Sequence, residues 1–239
     1  MRLNTFLARS GSASRRGSDA LIAEGRVAIN GVTAVIGAII QLGDEVTLDG
    51  VLVSPQKLTY ILLHKPAGTI TTAHDPQGRP TVIELVECDE RVFPVGRLDA
   101  DTTGVLFLTN DGVLAHYLAH PRYVVEKTYI ATVKGSPSVE ALRCLETGIE
   151  LDDGMTAPAR ARLLEVDKSH FVPGKSIVEL VIHEGRKHQV KRMMAAIGHP
   201  VSALHRSQYA SLTVGDLAPG GWRNLRPSEL GELREITAE

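Results

Sequence analysis

The 239-residue chain lacks most of the features that assign a sequence at a glance. No run of eighteen or more apolar residues occurs, so an ordinary membrane-spanning helix is not expected. Cys88 and Cys144 are the whole cysteine complement, too few for a disulfide framework and without metal-ligand spacing. A reducing cytoplasm is the expected compartment, and the opening residues Met1 to Arg9 carry charge too early and too often for a secretory signal. A full Gly-x-x-x-x-Gly-Lys-Ser/Thr phosphate loop, a Gly-x-Ser-x-Gly elbow and a dinucleotide fingerprint are all missing, so the chemistry is expected to run on side chains. His183-Glu184 and His188 approach a zinc-protease helix, but that motif needs its histidines four apart, and here they are five apart with Gly185 between them. No metal site is expected. Finally, there is no dominant sign of charge: the formal net charge is −2.

What is present starts with a normal hydrophobic content of 43% and 23% charged residues, enough for a buried core in one or two domains. Charge is patterned. Within the first thirty residues Arg2, Arg9, Arg15, Arg16 and Arg26 outweigh Asp19 and Glu24. Between His183 and Arg206, the basic residues Arg186, Lys187, Lys191, Arg192 and Arg206 face only Glu184. Nucleic-acid affinity depends on such local clusters and not on the total, and two basic patches suit an RNA that touches both.

Residues 1–57 read as a small αα-β unit. Leu3, Phe6 and Leu7 have helical spacing, as do Ala20, Leu21 and Ile22 with Ala13 before them. The run from Ser10 to Ser14 between them is a turn with helix-capping residues. Val27-Ala28-Ile29 and Val46-Thr47-Leu48 are strand-like, Asn30-Gly31 is a hairpin turn, Asp49-Gly50 closes the unit, and Ser54 to Lys57 is a linker. From 58 to 239 the pattern changes to short β-type runs: Thr59–Leu63, Val105–Leu108, Lys127–Val133 and Ile177–Ile182. Helices are expected over Ser138–Thr147 and Arg186–Ile197. That mixture predicts an α+β domain with a largely antiparallel, mixed sheet and flanking helices. On the second helix Lys187, Lys191 and Met194 would share one face and Arg192 would point elsewhere.

The segment richest in chemistry runs from Phe93 to Gly104, followed by an apolar strand and Thr109-Asn110-Asp111-Gly112. A carboxylate two residues after Arg97, in a glycine-flanked loop entering a buried strand, is placed to be held rigidly. An opposite charge within roughly 4–6 Å lowers a carboxyl pKa by about 1–3 units, and only the anion is a nucleophile. On these grounds Asp99 and Asp101 are equal candidates, and an Asp- and Thr-capped turn explains the segment as well.

Two resemblances go further. Arg2-Leu3, Phe6-Leu7-Ala8, Ala13-Ser14-Arg15-Arg16, Leu21-Ile22, Gly25-Arg26-Val27 and Asn30-Gly31 resemble the RNA-binding module of the ribosomal-protein S4 type. The resemblance implies that Arg2, Arg15, Arg16 and Arg26 contact RNA phosphates. Gly96-Arg97-Leu98-Asp99, with Thr102, Gly104 and Asn110-Asp111-Gly112, is similar to the signature loop of pseudouridine synthases of the RsuA/RluB type, which act on ribosomal RNA. His64 to Gly68, Lys127-Thr128-Tyr129, the segment from His183 to Met193, and Gly220, Arg223 and Leu225 match other parts of that pattern. The resemblance implies a catalytic domain in which Asp99 is the catalytic residue and Asp101 has no role. It implies that Tyr129 packs on the target uracil and assists proton transfer, and that Lys191, with Arg97 as a second partner, pairs with Asp99. Leu204 would wall the base, and Arg186, Lys187 and Gln189 would bind substrate. The implied reaction converts uridine to pseudouridine in ribosomal RNA, with the large subunit favoured. It needs no redox cofactor, nucleotide or metal, and the protein is expected to work as a monomer. An RNA-binding assembly factor without catalysis and an RNA methyltransferase are the alternatives; the second would need a Gly-rich cofactor loop, which is missing.

Overall fold

The computed structural model describes residues 1–165 and 173–236. They divide into two compact units, Met1–Thr59 with Cys88–Arg91, and Tyr60–Glu87 with Val92–Glu239. Cys88–Arg91 is tied into the first unit by Arg91, whose backbone N–H donates to Gln56 Oε1 at 3.1 Å. Its guanidinium donates to the Ala13 carbonyl at 3.4 Å.

The first unit opens with α1 (Leu3–Arg9) and α2 (Arg15–Ala23). Ser14 starts α2 by accepting a hydrogen bond from the Gly17 N–H at 3.1 Å, satisfying one of the donors a helix leaves free at its start. Strands β1 (Val27–Ile29), β2 (Val32–Thr33), β3 (Val46–Leu48) and β4 (Val51–Leu52) follow, antiparallel in the order β2-β1-β3-β4. Asn30-Gly31 and Asp49-Gly50 each turn the chain in two residues at positive φ (50° and 80°, 51° and 78°), which matches the twist of a tight hairpin. Asp49-Gly50 therefore leads into one more strand. Leu3, Leu7, Ile22, Val27, Ala34, Ile40 and Val46 form the core.

The second unit begins with β5 (Tyr60–Lys65), β6 (Phe93–Val95), β7 (Thr103–Thr109), α3 (Gly112–Ala119) and β8 (Lys127–Lys134). It continues with α4 (Val139–Glu146), β9 (Glu150–Leu151), β10 (Gly154–Met155), β11 (Arg160–Leu164) and β12 (Lys175–Ile182). It closes with α5 (Gln189–Ala196), β13 (Val201–Tyr209), β14 (Leu212–Thr213), β15 (Trp222–Asn224) and α6 (Pro227–Ile236). Ser138 caps α4, and Asp111 caps α3 by accepting from the Val113 and Leu114 N–H groups at 3.1 and 3.2 Å. α5 starts later than the spacing predicts, because His188 turns the chain in the left-handed region at φ 51°. Lys187 thus precedes the helix and does not share a face with Lys191 and Met194.

The main sheet runs β11-β12-β8-β13-β7-β5-β15, with β14 added to β13 and β6 to β7. Its pairs are antiparallel except β13–β7, which is parallel. That pair joins the two halves of the sheet and sets one cross-strand row: Lys65, Gly104, Arg206, Tyr129 and Leu180. Residues in such a row project from the same face. On the other face of β5 and β7, Leu62, Val105 and Phe107 pack with Leu114 and Leu118 of α3.

Gly104 makes the row possible. At φ +114° it holds a conformation side chains avoid, and a Cβ there would lie 2.1 Å from the Arg206 carbonyl oxygen. Gly104→Ala is expected to destabilise the fold by about 3 kcal/mol or more, since backbone strain and a backbone clash add. Urea unfolding measures this; an unchanged midpoint would show that β7 and β13 can part without penalty.

Candidate active site

The loop between β6 and β7 is held almost carbonyl by carbonyl. The Thr71 hydroxyl donates to the Leu98 carbonyl at 2.7 Å, and the Thr102 N–H donates to that of Asp99 at 3.1 Å. The Ala100 carbonyl accepts from the Gly68 N–H at 2.7 Å and from Lys65 Nζ at 3.2 Å. Lys65 Nζ also donates to the carbonyls of Thr102 and Pro66, both at 2.9 Å. An ammonium group has three donors, and Lys65, fully buried, spends all three on backbone oxygens. The carboxylate of Asp99 is thereby carried on a rigid turn.

Asp99 faces two basic groups. Lys191 Nζ lies 3.4 Å from its Oδ2, and His188 Nε2 lies 3.5 Å from its Oδ1. The shortest bonds of Lys191 go elsewhere, to both oxygens of Asp101 at 2.6 and 2.8 Å. That hydrogen bond, with the lysine charge, holds the Asp101 carboxyl below the usual range. Burial works against the Lys191 ammonium, but the Asp101 hydrogen bond and the Asp99 charge outweigh it and push its pKa up. The two carboxylates differ in exposure: the Asp99 side chain is 29% exposed and that of Asp101 73%.

Asp99 lines a cleft of about 470 Å³. Leu98, Ile182, Val190 and Leu204 supply apolar wall, and Tyr129, Lys127, Arg206 and Tyr209 lie on the sheet side. Lys127 Nζ is buried and donates to the carbonyls of Val125 at 2.9 Å and His183 at 3.2 Å. Buried Arg206 donates from Nε to the Val105 carbonyl at 2.8 Å, with its guanidinium carbon 4.8 Å from the centre of the Tyr209 ring.

This geometry coincides with a clear set of relationships. Residues 59–196 match the family model described as RNA pseudouridylate synthase, and residues 1–46 match the S4 domain model. The chain belongs to the RNA pseudouridylate synthase family. It is 46% identical over 237 residues to the ribosomal large subunit pseudouridine synthase B of Bacillus subtilis, covering 98% of this chain and 96% of that one. It is 38% identical to the protein of the same name from Vibrio cholerae, over 98% of this chain and 74% of that one. A solved structure described as a pseudouridylate synthase superposes with a TM-score of 0.69 at 32% identity, covering 98% of this chain and 99% of the other. The chain is thus an RNA-modifying isomerase carrying an S4 domain on a mixed α+β architecture.

Within this pseudouridylate synthase fold, Asp99, Tyr129 and Leu204 line the cleft and Lys191 stands at its edge beside Asp99. Arg97 also lines the cleft but is exposed and forms no ion pair among the described residues, so Lys191 is the neighbour of Asp99 and Arg97 is not. Lys187 is exposed at the cleft. Arg186 reaches the cleft, yet its guanidinium is committed to Asp153, Glu184 and the carbonyls of Gly154 and Met155. Gln189 is likewise a brace, accepting from the Arg186 N–H at 2.9 Å and donating to Glu184 at 2.5 Å. In the first unit Arg2, Arg15 and Arg16 are exposed. Arg26 is exposed too, but it is paired with both oxygens of Asp49 at 2.9 and 2.6 Å.

Lys65, Lys127, His188 and Arg206 were not among the expected site residues. A signal for two of them existed. In Lys127–Lys134 the inward positions alternate, and Lys127 is in phase with Tyr129; Arg206 is likewise in phase with Leu204. A charged residue on the inward phase of a strand calls for a partner. Among the described residues no helix is long and apolar enough to cross a membrane.

Burial pushes the Lys65 and Lys127 ammonium groups down to about 8. In the unfolded chain both return to near 10.5, so between these values the unfolded chain binds more protons and stability rises with pH. Moving from about pH 7.5 to about 9.5 is expected to raise the urea midpoint, and Lys65→Met is expected to show roughly half that gain. An equal gain in the variant would mean that Lys65 is not the group titrating.

Proposed function

We propose that this chain isomerises uridine to pseudouridine in ribosomal RNA, the large subunit being the favoured source, with Asp99 as the catalytic carboxylate. The names of the Bacillus subtilis and Vibrio cholerae relatives support the substrate. The observation that carries the assignment of Asp99 is its position. It lines the cleft beside Lys191, above a floor holding Tyr129, whereas Asp101 is turned out to solvent and occupied with Lys191.

The target uridine is flipped out of its stack into the cleft, at a cost of a few kcal/mol. Leu204 walls the base and Tyr129 packs against it. Asp99 acts on the uracil or the sugar so that the glycosidic bond to nitrogen breaks. The base turns while bound and rejoins through carbon, and the proton on that carbon is lost with help from Tyr129 or water. Nothing is oxidised or reduced, and the work falls to a monomer in the cytoplasm with no cofactor or metal.

Asp99→Asn is expected to lower conversion by about a thousandfold or more, several kcal/mol on the barrier. Asp101→Asn is expected to lower it by about tenfold or less. Tritium release from C5-labelled ribosomal RNA reads both, and an Asp99 variant within about tenfold of the parent would remove Asp99 from this role. Mapping pseudouridines in total RNA with and without the protein identifies the site, and an unchanged map would remove ribosomal RNA as substrate.

The first unit holds RNA through phosphates at Arg2, Arg15 and Arg16. Each lost phosphate contact lowers the slope of log K against log salt by about 0.7–0.9. The double variant Arg15→Ala/Arg16→Ala is therefore expected to lower the slope by about 1.5. Arg26→Ala, whose charge already faces Asp49, is expected to change it by far less. Equal slopes for all three proteins would place the RNA grip elsewhere.

A further inference from the structure

Two of the residues that line the cleft carry a buried polar atom with no hydrogen-bond partner among the described residues: Nη2 of Arg206 and Oγ1 of Thr102. Both side chains are almost wholly inside, at 2% and 1% exposure. Buried donors and acceptors are ordinarily satisfied, so such atoms at a cleft point to what enters it. The neighbouring cations differ in this respect. Lys65 donates to the carbonyls of Pro66, Ala100 and Thr102, and Lys127 to those of Val125 and His183. Lys127 keeps one N–H beyond those two bonds, near the Tyr209 ring at 5.6 Å from its centre, whereas Arg206 leaves a whole nitrogen, Nη2, without an acceptor, and it sits in register beside Tyr129.

We infer that Arg206 and Thr102 read the carbonyl and N3–H edge of the target uracil, and that Arg206 keeps hold of the base while it turns. The inference rests on the pseudouridine reading given above. Its chemical basis is the symmetry of uracil. When the C1′–N1 bond breaks, its electron pair stays on the base, and the negative charge spreads over N1, O2 and O4. The base must then turn about the axis through N3 and C6 to bring C5 to C1′. That half-turn exchanges O2 with O4 and leaves N3–H in place. A guanidinium N–H aimed at one carbonyl position therefore meets an equivalent oxygen before and after the turn, and faces negative charge in between. The Thr102 hydroxyl accepts from N3–H throughout. The step closes when C5 bonds to C1′, C5 loses its proton and N1 gains one, so atoms and charge balance with no co-reactant. Cytosine carries an amino group at C4 and no hydrogen on N3, so it opposes a donor to Arg206 in one orientation and offers Thr102 no donor.

The test uses the full-length protein in two arms. In an Asp99→Asn background, which binds without turnover, dissociation constants are measured for ribosomal RNA fragments with uridine or cytidine at the target position. The Asp99→Asn protein is expected to favour uridine by about tenfold or more. Adding Arg206→Met or Thr102→Val is expected to cut that preference to about twofold or less, with affinity for the cytidine RNA unchanged. Retained preference in both variants overturns the inference, as does parallel loss of affinity for both RNAs in proteins that melt at the parent temperature. Thr102→Val is near-isosteric and decides the matter should Arg206→Met fail to fold. In the second arm the otherwise native protein acts on RNA bearing 2-thiouridine or 4-thiouridine at the target. Both sulfur substitutions are expected to lower kcat/KM, each by about tenfold, and Arg206→Lys is expected to shrink both penalties. A penalty from only one, or none, overturns the claim that a single donor serves both orientations. Conversion of uridine by the parent protein is scored separately, so failure of the reading contact is distinct from failure of the functional assignment.

Discussion

The near-contact between the backbones of Gly104 and Arg206 is the joint on which the site is built. β7 and β13 form the parallel pair of the main sheet, and each adjoins residues that line the cleft. The turn bearing Asp99 runs directly into β7, whereas Tyr129 and Arg206 lie on the β8 and β13 side. Any side chain at position 104 would push these halves apart, because a Cβ would fall inside the Arg206 carbonyl. The conformation that glycine alone tolerates there is also what starts β7 at the correct height. Local backbone chemistry at one residue thus fixes the spacing between groups that are a hundred residues apart in sequence.

Lys65 completes what Gly104 begins. It stands beside Gly104 in the same cross-strand row and ties the carbonyls of Ala100 and Thr102, the residues that flank the turn after Asp99. Burying an ammonium is expensive unless its protons are taken up. Here the three backbone acceptors do that, which leaves the carboxylates of Asp99 and Asp101 free for other partners. A buried apolar residue at position 65 could fill the volume but could not hold the turn.

Much of this was readable in the sequence where the determinant is local. The capping serine before α2, the hairpin turn at Asn30-Gly31 and the β-type run of β8 depend on neighbours a few residues away, whereas Asp49-Gly50 reads as the close of the unit and only the fold shows the strand after it. The two-residue strands β2 and β4 were not readable, since both are exposed and too short to alternate. Spacing and charge left Asp99 and Asp101 level, and it was resemblance to a family that separated them. The contacts of Lys65 depend on strand register across the sheet, which no local pattern encodes, and for Arg206 the alternation marks only the inward phase and not its partners. Arg26 shows the same limit from the other side: it reads as a free basic residue, and only the fold brings Asp49 to it.

The division of labour between the two aspartates follows from one shared lysine. Had Lys191 bonded closely to Asp99, that carboxylate would have an oxygen occupied by the bond. Instead Asp101 takes the short hydrogen bonds and fixes the ammonium in place, while Asp99 stands 3.4 Å away. At that distance it faces a positive charge without a tight bond to it. His188, turned toward Asp99 by its left-handed backbone, adds a second polar neighbour at 3.5 Å. Asp101 thus holds the Lys191 ammonium from the solvent side, and the half-buried carboxylate of Asp99 stays open to the cleft. Two carboxylates of the same type, two residues apart, acquire different surroundings because the turn directs one inward and the other to solvent.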